Sequence, residues 1–348
     1  MKRILYIFLL TLLFPYLKAE DSIPALTDSI VLSVDSDTDA LDSIEIRLFE
    51  WYFASLDTTP CTTILDTTAL PDSTYKNRLQ ALPCIIELPY NPIAKRYIQR
   101  YIRHSPRHTA RIMRDAEHFF PIFEEALYRH DLPFELRYVP VIESALRPTA
   151  RSRAGAAGLW QFMPSTAKKY GLEVNSLVDE RMDVYKSTEA ACRFLREAYS
   201  KYGDWMTVAA SYNGGQAGMD RRIQSQNQEH ALDQWLVDET SRYMFRILAA
   251  KMMFENPRQF GFRFTAADLY PYIPPKRQVT VTDPIDDLVA FAEKNGVTFA
   301  DLKRANLWLR ESKLNNASHR TYIIDIPDTE ALRYDPSGTK VHSPAWVR

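Results

Sequence analysis

The sequence is poor in cysteine, in glycine and in net charge, and each shortage excludes a class of protein. Three cysteines in 348 residues are too few for a disulfide scaffold. No Cys/His cluster has the spacing of a zinc site. His104 and His108 are four apart, but Pro106 between them breaks the helix that would align them, so both read as solvated imidazoles. Forty-three Lys+Arg against 44 Asp+Glu give a net charge of −1, which leaves no excess cation to neutralise nucleic-acid phosphates. The apolar run Ile4–Leu17 is about 14 residues, short of the roughly 20 that span a bilayer as a helix. Only ten glycines occur, and seven of them lie between Gly155 and Gly218, marking where backbone must approach something closely.

What is present argues for a folded protein of more than one unit. Hydrophobic residues make up 46% and aromatics 12%, enough for a real core, and the length exceeds what one compact domain needs. Met1-Lys2-Arg3, the apolar run and Lys18-Ala19-Glu20 have the order of a secretory signal peptide over residues 1–19. An uncleaved anchor is the alternative, given the bulky Leu17 three residues before the cut. No cysteine lies near that site to carry a lipid, so the expectation is an exported protein of the periplasm or cell envelope. Export makes Cys61 and Cys84 candidates for a disulfide. Cys192 sits on a helix core and reads as a small buried hydrophobe.

Residues 20–90 are rich in Ser, Thr and Asp and read as an acidic spacer, with twelve Asp/Glu against three Lys/Arg over 20–80. By difference residues 82–348 carry about +5, mildly suited to an anionic partner. Between 91 and 257 no long alternating run appears, so that stretch reads as all α. Expected helices are Ala94–Ile102, Thr109–Arg129 with Pro121 starting a new helix or kinking the old one, and Phe134–Glu143 interrupted by Pro140. Pro164–Tyr170 should end at Gly171, Ser187–Tyr202 should begin at a hydroxyl cap and end at Gly203, Asp204 should cap Trp205–Tyr212, and Ser241–Glu255 should stop before Pro257. Residues 258–277 read as a proline-containing linker. Strand Gln278–Thr282, helices Asp286–Lys294 and Phe299–Asn306, and strand Thr321–Ile326 make a small β-α-α-β unit over 278–327, before a tail at 328–348. The fold class is mainly α with this small module appended.

Chemistry concentrates in three strings. In Val141-Ile142-Glu143-Ser144-Ala145-Leu146 a carboxyl sits among apolar neighbours, which disfavours its anion and raises its pKa toward that of a general acid. Gly155-Ala156-Ala157-Gly158-Leu159-Trp160-Gln161-Phe162-Met163-Pro164 and Ala209-Ala210-Ser211-Tyr212-Asn213-Gly214-Gly215 combine small residues, aromatic faces and amides, which suit sugar rings and their hydroxyl or N-acetyl groups. The cluster Asp179, Glu180, Arg181 and Asp183 reads as capping and surface ion pairs. Glu239 reads as serving the start of the last helix, and Glu135 as an early-turn acid.

Together with Glu239-Thr240-Ser241-Arg242-Tyr243, these strings resemble the soluble-lytic-transglycosylase family of goose-lysozyme-like fold from about Asn91 to Pro257. The resemblance implies a lysozyme-like helical catalytic domain that cleaves the β-1,4 bond between N-acetylmuramic acid and N-acetylglucosamine in peptidoglycan glycan strands, leaving a 1,6-anhydro-muramoyl end and needing no metal or cofactor. It assigns Glu143 the sole acid/base role and Ser144 the orientation of the carboxyl or an N-acetyl group. Gly158, Gln161 and Met163 would lie along the glycan cleft, Tyr212 and Asn213 would hold the reacting sugar, and Tyr243 would close the site. One carboxyl suffices if the substrate's acetamido oxygen supports the cationic centre, a variant of the two-carboxylate scheme. No second carboxylate should then face Glu143. A hydrolase of the same fold and a non-catalytic wall-binding scaffold are the rivals. Residues 278–327 resemble a LysM module, with Asp283-Pro284-Ile285-Asp286 in place of the usual glycine-containing turn, so the module is either glycan-binding or a structural appendage.

Overall fold

The computed structural model describes residues 96–97, 106–236, 238–317, 319–331, 341–342 and 346–347. The leader, the acidic spacer, His104 and the Cys61/Cys84 pair lie outside them.

Helix α1, Pro106–Arg129, buries Ile112, Met113, Ala116, Phe119, Phe120, Phe123 and Leu127, a stripe recurring at three and four residues. Pro121 lies inside it and starts no new helix, because the apolar stripe continues across the proline and packing holds both halves. The chain then makes a 3-10 turn, Phe134–Tyr138, and a short helix α2, Val139–Ser144. Pro140 falls in the first turn of α2, where its missing N–H has no helical partner to lose. The single helix expected there is therefore two pieces.

Four helices follow: α3 (Pro164–Lys169), α4 (Val184–Tyr202), α5 (Trp205–Gly214) and α6 (Gln216–Gln226). The punctuation by Gly203 (φ 66°) and by Asp204, whose carboxylate accepts from the Met206 and Thr207 amides, is as expected. The start of α4 is not. Asp183, not a hydroxyl, caps it by accepting from the Lys186 amide, and Ser187 is buried one turn inside. Helix α7, Asp238–Glu255, is central: Tyr243, Met244, Ile247, Leu248, Met252 and Met253 are all buried, and it packs against α5 and α2. Trp160 is fully buried at the middle of this core, its indole N–H donating to Thr188 Oγ1 at 3.0 Å.

Two segments expected outside the helical core belong to it. In the supposed linker Phe260, Phe262, Phe264 and Leu269 are buried. In the tail, Trp346 is buried edge-on against Phe120 and Phe254 and donates its N–H to the Phe254 carbonyl at 2.6 Å.

The small module is the expected β-α-α-β unit. Strands β1 (Arg277–Val281) and β2 (Tyr322–Ile326) pair antiparallel with Val279 opposite Ile324. Between them run α8 (Leu288–Lys294), capped by Asp287, and α9 (Phe299–Ala305), capped by Thr298. Its own core contains Leu288, Leu302, Trp308, Leu314 and Ile324, joined by Val178 from the helical part.

Candidate active site

Glu143 occupies the last turn of α2. The helix is stopped by two successive non-glycine residues in the left-handed region, Ala145 (φ 51°) and Leu146 (φ 57°). Their amides turn back onto the carbonyls of Val141 (3.2 Å) and Pro140 (3.3 Å), so the end of the helix is satisfied without a glycine. Such conformations cost about 1–2 kcal/mol per residue, and strain of this kind is characteristic of functional sites. The result is a carboxyl carried on a tightly closed helix end beside the buried Val141, Ile142 and Leu146.

Helix α7 supplies the surroundings of that carboxyl. Tyr243, itself buried, donates its hydroxyl to Glu143 Oε1 at 2.6 Å. Arg246 donates to the Ile142 carbonyl at 2.9 Å, and its charge also acts on Glu143. Burial raises the Glu143 pKa above the usual carboxylate range and is the largest influence; the Tyr243 hydrogen bond and the Arg246 charge pull it down, while the Glu239 anion pushes it up. Burial wins, which favours the protonated acid. Tyr212 and Tyr243 are pushed well above the ordinary phenol range by burial first and by the Glu143 charge second, so both are neutral donors beside it.

The second wall is the loop around residues 150–163. Tyr212 donates to the Trp160 carbonyl at 2.8 Å, tying α5 to this loop. Gln161 is left-handed (φ 49°), and its side-chain amide donates to the carbonyls of Gly158 (2.8 Å) and Ala150 (3.2 Å). Met163 is 40% exposed, a large apolar side chain left open to solvent at the start of α3. Gly158 has φ 84°, and a Cβ there would lie 1.8 Å from the Arg181 carbonyl oxygen. Only glycine allows that approach.

Of the residues singled out in the sequence, Glu143, Tyr243 and Tyr212 therefore converge. Gln161 and Gly158 shape the loop beside them. Asn213 accepts from Thr240 Oγ1 at 3.0 Å, joining α5 to α7. The buried Ser144 hydroxyl donates to the Pro140 carbonyl at 2.9 Å, back along its own helix, rather than to the carboxyl. The charged turn is corrected only in part, since Asp183 does cap α4. Asp179, Glu180 and Arg181 are 1%, 1% and 3% exposed, not surface ion pairs. Glu135 is likewise buried, accepting from Lys251 Nζ at 3.2 Å. His108 is half-buried and pushed down to about 3, mainly by desolvation, so it is not a solvated imidazole. Cys192 is buried and its thiol is pushed up to about 12, as suits an inert core residue.

Sequence reading missed Arg246 and the action of Glu239 on Glu143. Both were recoverable, since Glu239, Tyr243 and Arg246 recur at helical spacing and so share a face with the tyrosine. Among the described residues no group of three or more His, Cys, Asp or Glu is placed to hold a metal ion. No described helix is long and apolar enough to cross a membrane.

Comparison with known proteins adds the following. Residues 120–234 match the family described as Transglycosylase SLT domain, and residues 277–330 match Soluble lytic transglycosylase C-terminal LysM-like domain. The chain is 28% identical over 252 residues to membrane-bound lytic murein transglycosylase D of Escherichia coli K12, covering 71% of this chain and 54% of that protein. It is 34% identical over 98 residues to peptidoglycan transglycosylase gp16 of Escherichia phage T7, covering 27% of this chain and 7% of that protein. The 70 kDa soluble lytic transglycosylase of E. coli aligns with a TM-score of 0.35 at 18% identity, covering 49% of this chain and 31% of that one. The chain thus spans about half the length of the first of these curated relatives.

Proposed function

We propose that this chain, which carries a transglycosylase SLT domain and a LysM-like C-terminal domain and is homologous to the murein transglycosylase D of E. coli, is a lytic transglycosylase acting on peptidoglycan glycan strands. The observation that carries the reading is the pair formed by the half-buried Glu143, whose pKa is raised by desolvation, and the Tyr243 hydroxyl at 2.6 Å. Protonated Glu143 gives its proton to the glycosidic oxygen as the bond from muramic acid C1 breaks. The substrate's acetamido oxygen supports the cationic carbon. The Glu143 carboxylate then takes the proton from the same sugar's O6 as O6 closes on C1, giving a 1,6-anhydro end with no water consumed. Tyr243 steadies the carboxyl in both states. Residues 1–19 are read as its export signal and the cell envelope as its place of action.

Glu239 gives hydrolysis a specific foothold, since its anion reaches Glu143. It stands exposed in the first turn of α7, where solvent weakens its hold on a substrate cation. Mass spectrometry of digested sacculi separates the two reactions. Anhydro-muropeptides, lighter by one water than hydrolytic products, are expected; reducing ends in their place would make the enzyme a lysozyme. Glu143→Gln is expected to lower the rate by about 10²–10⁴-fold, the range for loss of a general acid, while retaining glycan binding. Equal background release by both proteins would leave only a wall-binding scaffold.

A further inference from the structure

The LysM-like module does not hang free of the helical part. Its α9–β2 loop is bonded to the turn that precedes α4. The Asp179 amide donates to the Trp308 carbonyl and the Arg310 amide to the Leu177 carbonyl, both at 2.9 Å. Between these bonds Val178, 1% exposed, enters the module's apolar core. On the module side Tyr322 donates to Glu173 at 2.8 Å and Arg320 pairs with Glu173 at 3.1 Å. Lys186, which bonds Glu180, lies over the rings of Trp308 and Tyr322.

The far side of the same turn grips the loop that faces the site. The Asp179 carboxylate accepts from Arg181 Nε (2.8 Å) and from an Arg181 terminal nitrogen (2.9 Å). The remaining nitrogen of that guanidinium donates to the carbonyls of Gly155 (2.8 Å) and Phe162 (3.0 Å), the two ends of the Gly155–Phe162 segment. The Arg181 carbonyl meanwhile occupies the space that a side chain at 158 would need. A planar cation with fixed donor directions, desolvated on all sides, specifies one loop geometry.

From this continuous path we propose that the C-terminal module serves as a positioning element for the glycan-facing loop, with Arg181 as the positioning residue. Docking of Trp308 and Leu309 fixes Asp179, Asp179 aims Arg181, and Arg181 sets the loop that presents Gln161 and Met163. The role of the loop in holding glycan rests on the function proposed above; the mechanical coupling does not.

Hydrogen exchange on the full chain tests the coupling without any substrate. Val178→Asp places a carboxylate in an apolar core and is expected to release the module; Val178→Ser is a milder second variant, and Val178→Ile should leave the contact intact. On release, exchange should quicken at the Asp179 and Arg310 amides and also at Ala157, Gly158 and Phe162, whose amides are bonded within the loop and to Ala150. Amides of α2 and α7 should keep their protection. Faster exchange at 179 and 310 with an unchanged loop would overturn the proposal, as would a folded Val178→Asp chain in which 179 and 310 remain protected. In glycan turnover the released variants should raise KM about tenfold with kcat within about twofold, the pattern for lost binding with chemistry intact. An unaltered KM in a released variant also refutes it. If the unmodified chain releases no muropeptide at all, the functional reading falls while the exchange result still decides the coupling.

Discussion

At position 143 four influences meet on one carboxyl, and their signs differ, so each can be read separately in a pH profile. Tyr243→Phe removes a hydrogen bond that favours the anion, and Arg246→Gln removes a favourable charge. Each should raise the Glu143 pKa further and move the alkaline limb of muropeptide release to higher pH. Glu239→Gln removes a disfavouring anion and should move the same limb to lower pH. A shift of all three variants in one direction would show that the limb belongs to another group. The candidate acid was legible in the sequence, because its apolar neighbours are local. Arg246 was legible only as sharing the Tyr243 face of its helix; what it does for Glu143 depends on α7 crossing α2.

At the scale of elements, two backbone positions carry opposite expectations. Ala145 adopts φ 51° without being glycine; Ala145→Gly should stabilise the fold by up to about 1 kcal/mol, read as a raised urea midpoint. Gly158→Ala does the reverse, since the added carbon meets the Arg181 carbonyl at 1.8 Å; a loss on the order of 2–4 kcal/mol is expected in the same measurement. Asp183 adds a pH dependence. Burial raises its pKa from 3.8 to about 6, so the folded chain holds this proton more tightly than the unfolded chain does. Its contribution to stability therefore falls as pH rises across that window. Asp183→Asn keeps a capping oxygen and should flatten the fall, seen in unfolding midpoints taken at several pH values. The helices themselves were readable from glycine and proline punctuation. The cap of α4 was misassigned to a hydroxyl because Ser187 and Asp183 both fit an N-cap, and only the hydrogen bond to Lys186 decides between them.

For the whole molecule, the fold class and the β-α-α-β module followed from hydrophobic periodicity, which is local. What escaped was how segments distant in sequence share a core. Val178 looks like an ordinary loop valine until the module folds around it. Asp179, Glu180 and Arg181 look like a solvated charge run until Arg151, Lys186 and the loop carbonyls close on them. Trp346 falls in the stretch that reads as a tail, yet it fills a place among Phe120, Phe254 and Phe264. Trp346→Ala should cost about 3–5 kcal/mol, the usual range for a buried aromatic, and be visible as a lowered Tm by calorimetry. A variant as stable as the parent would mean that the tail contributes no packing energy.

The two members of the Glu143–Tyr243 pair stand 100 residues apart in the chain. During synthesis the first half of the site therefore exists long before its counterpart, and a polypeptide that stops short of Tyr243 cannot possess the assembled pair. The pair closes only once α7 has emerged and packed against α2.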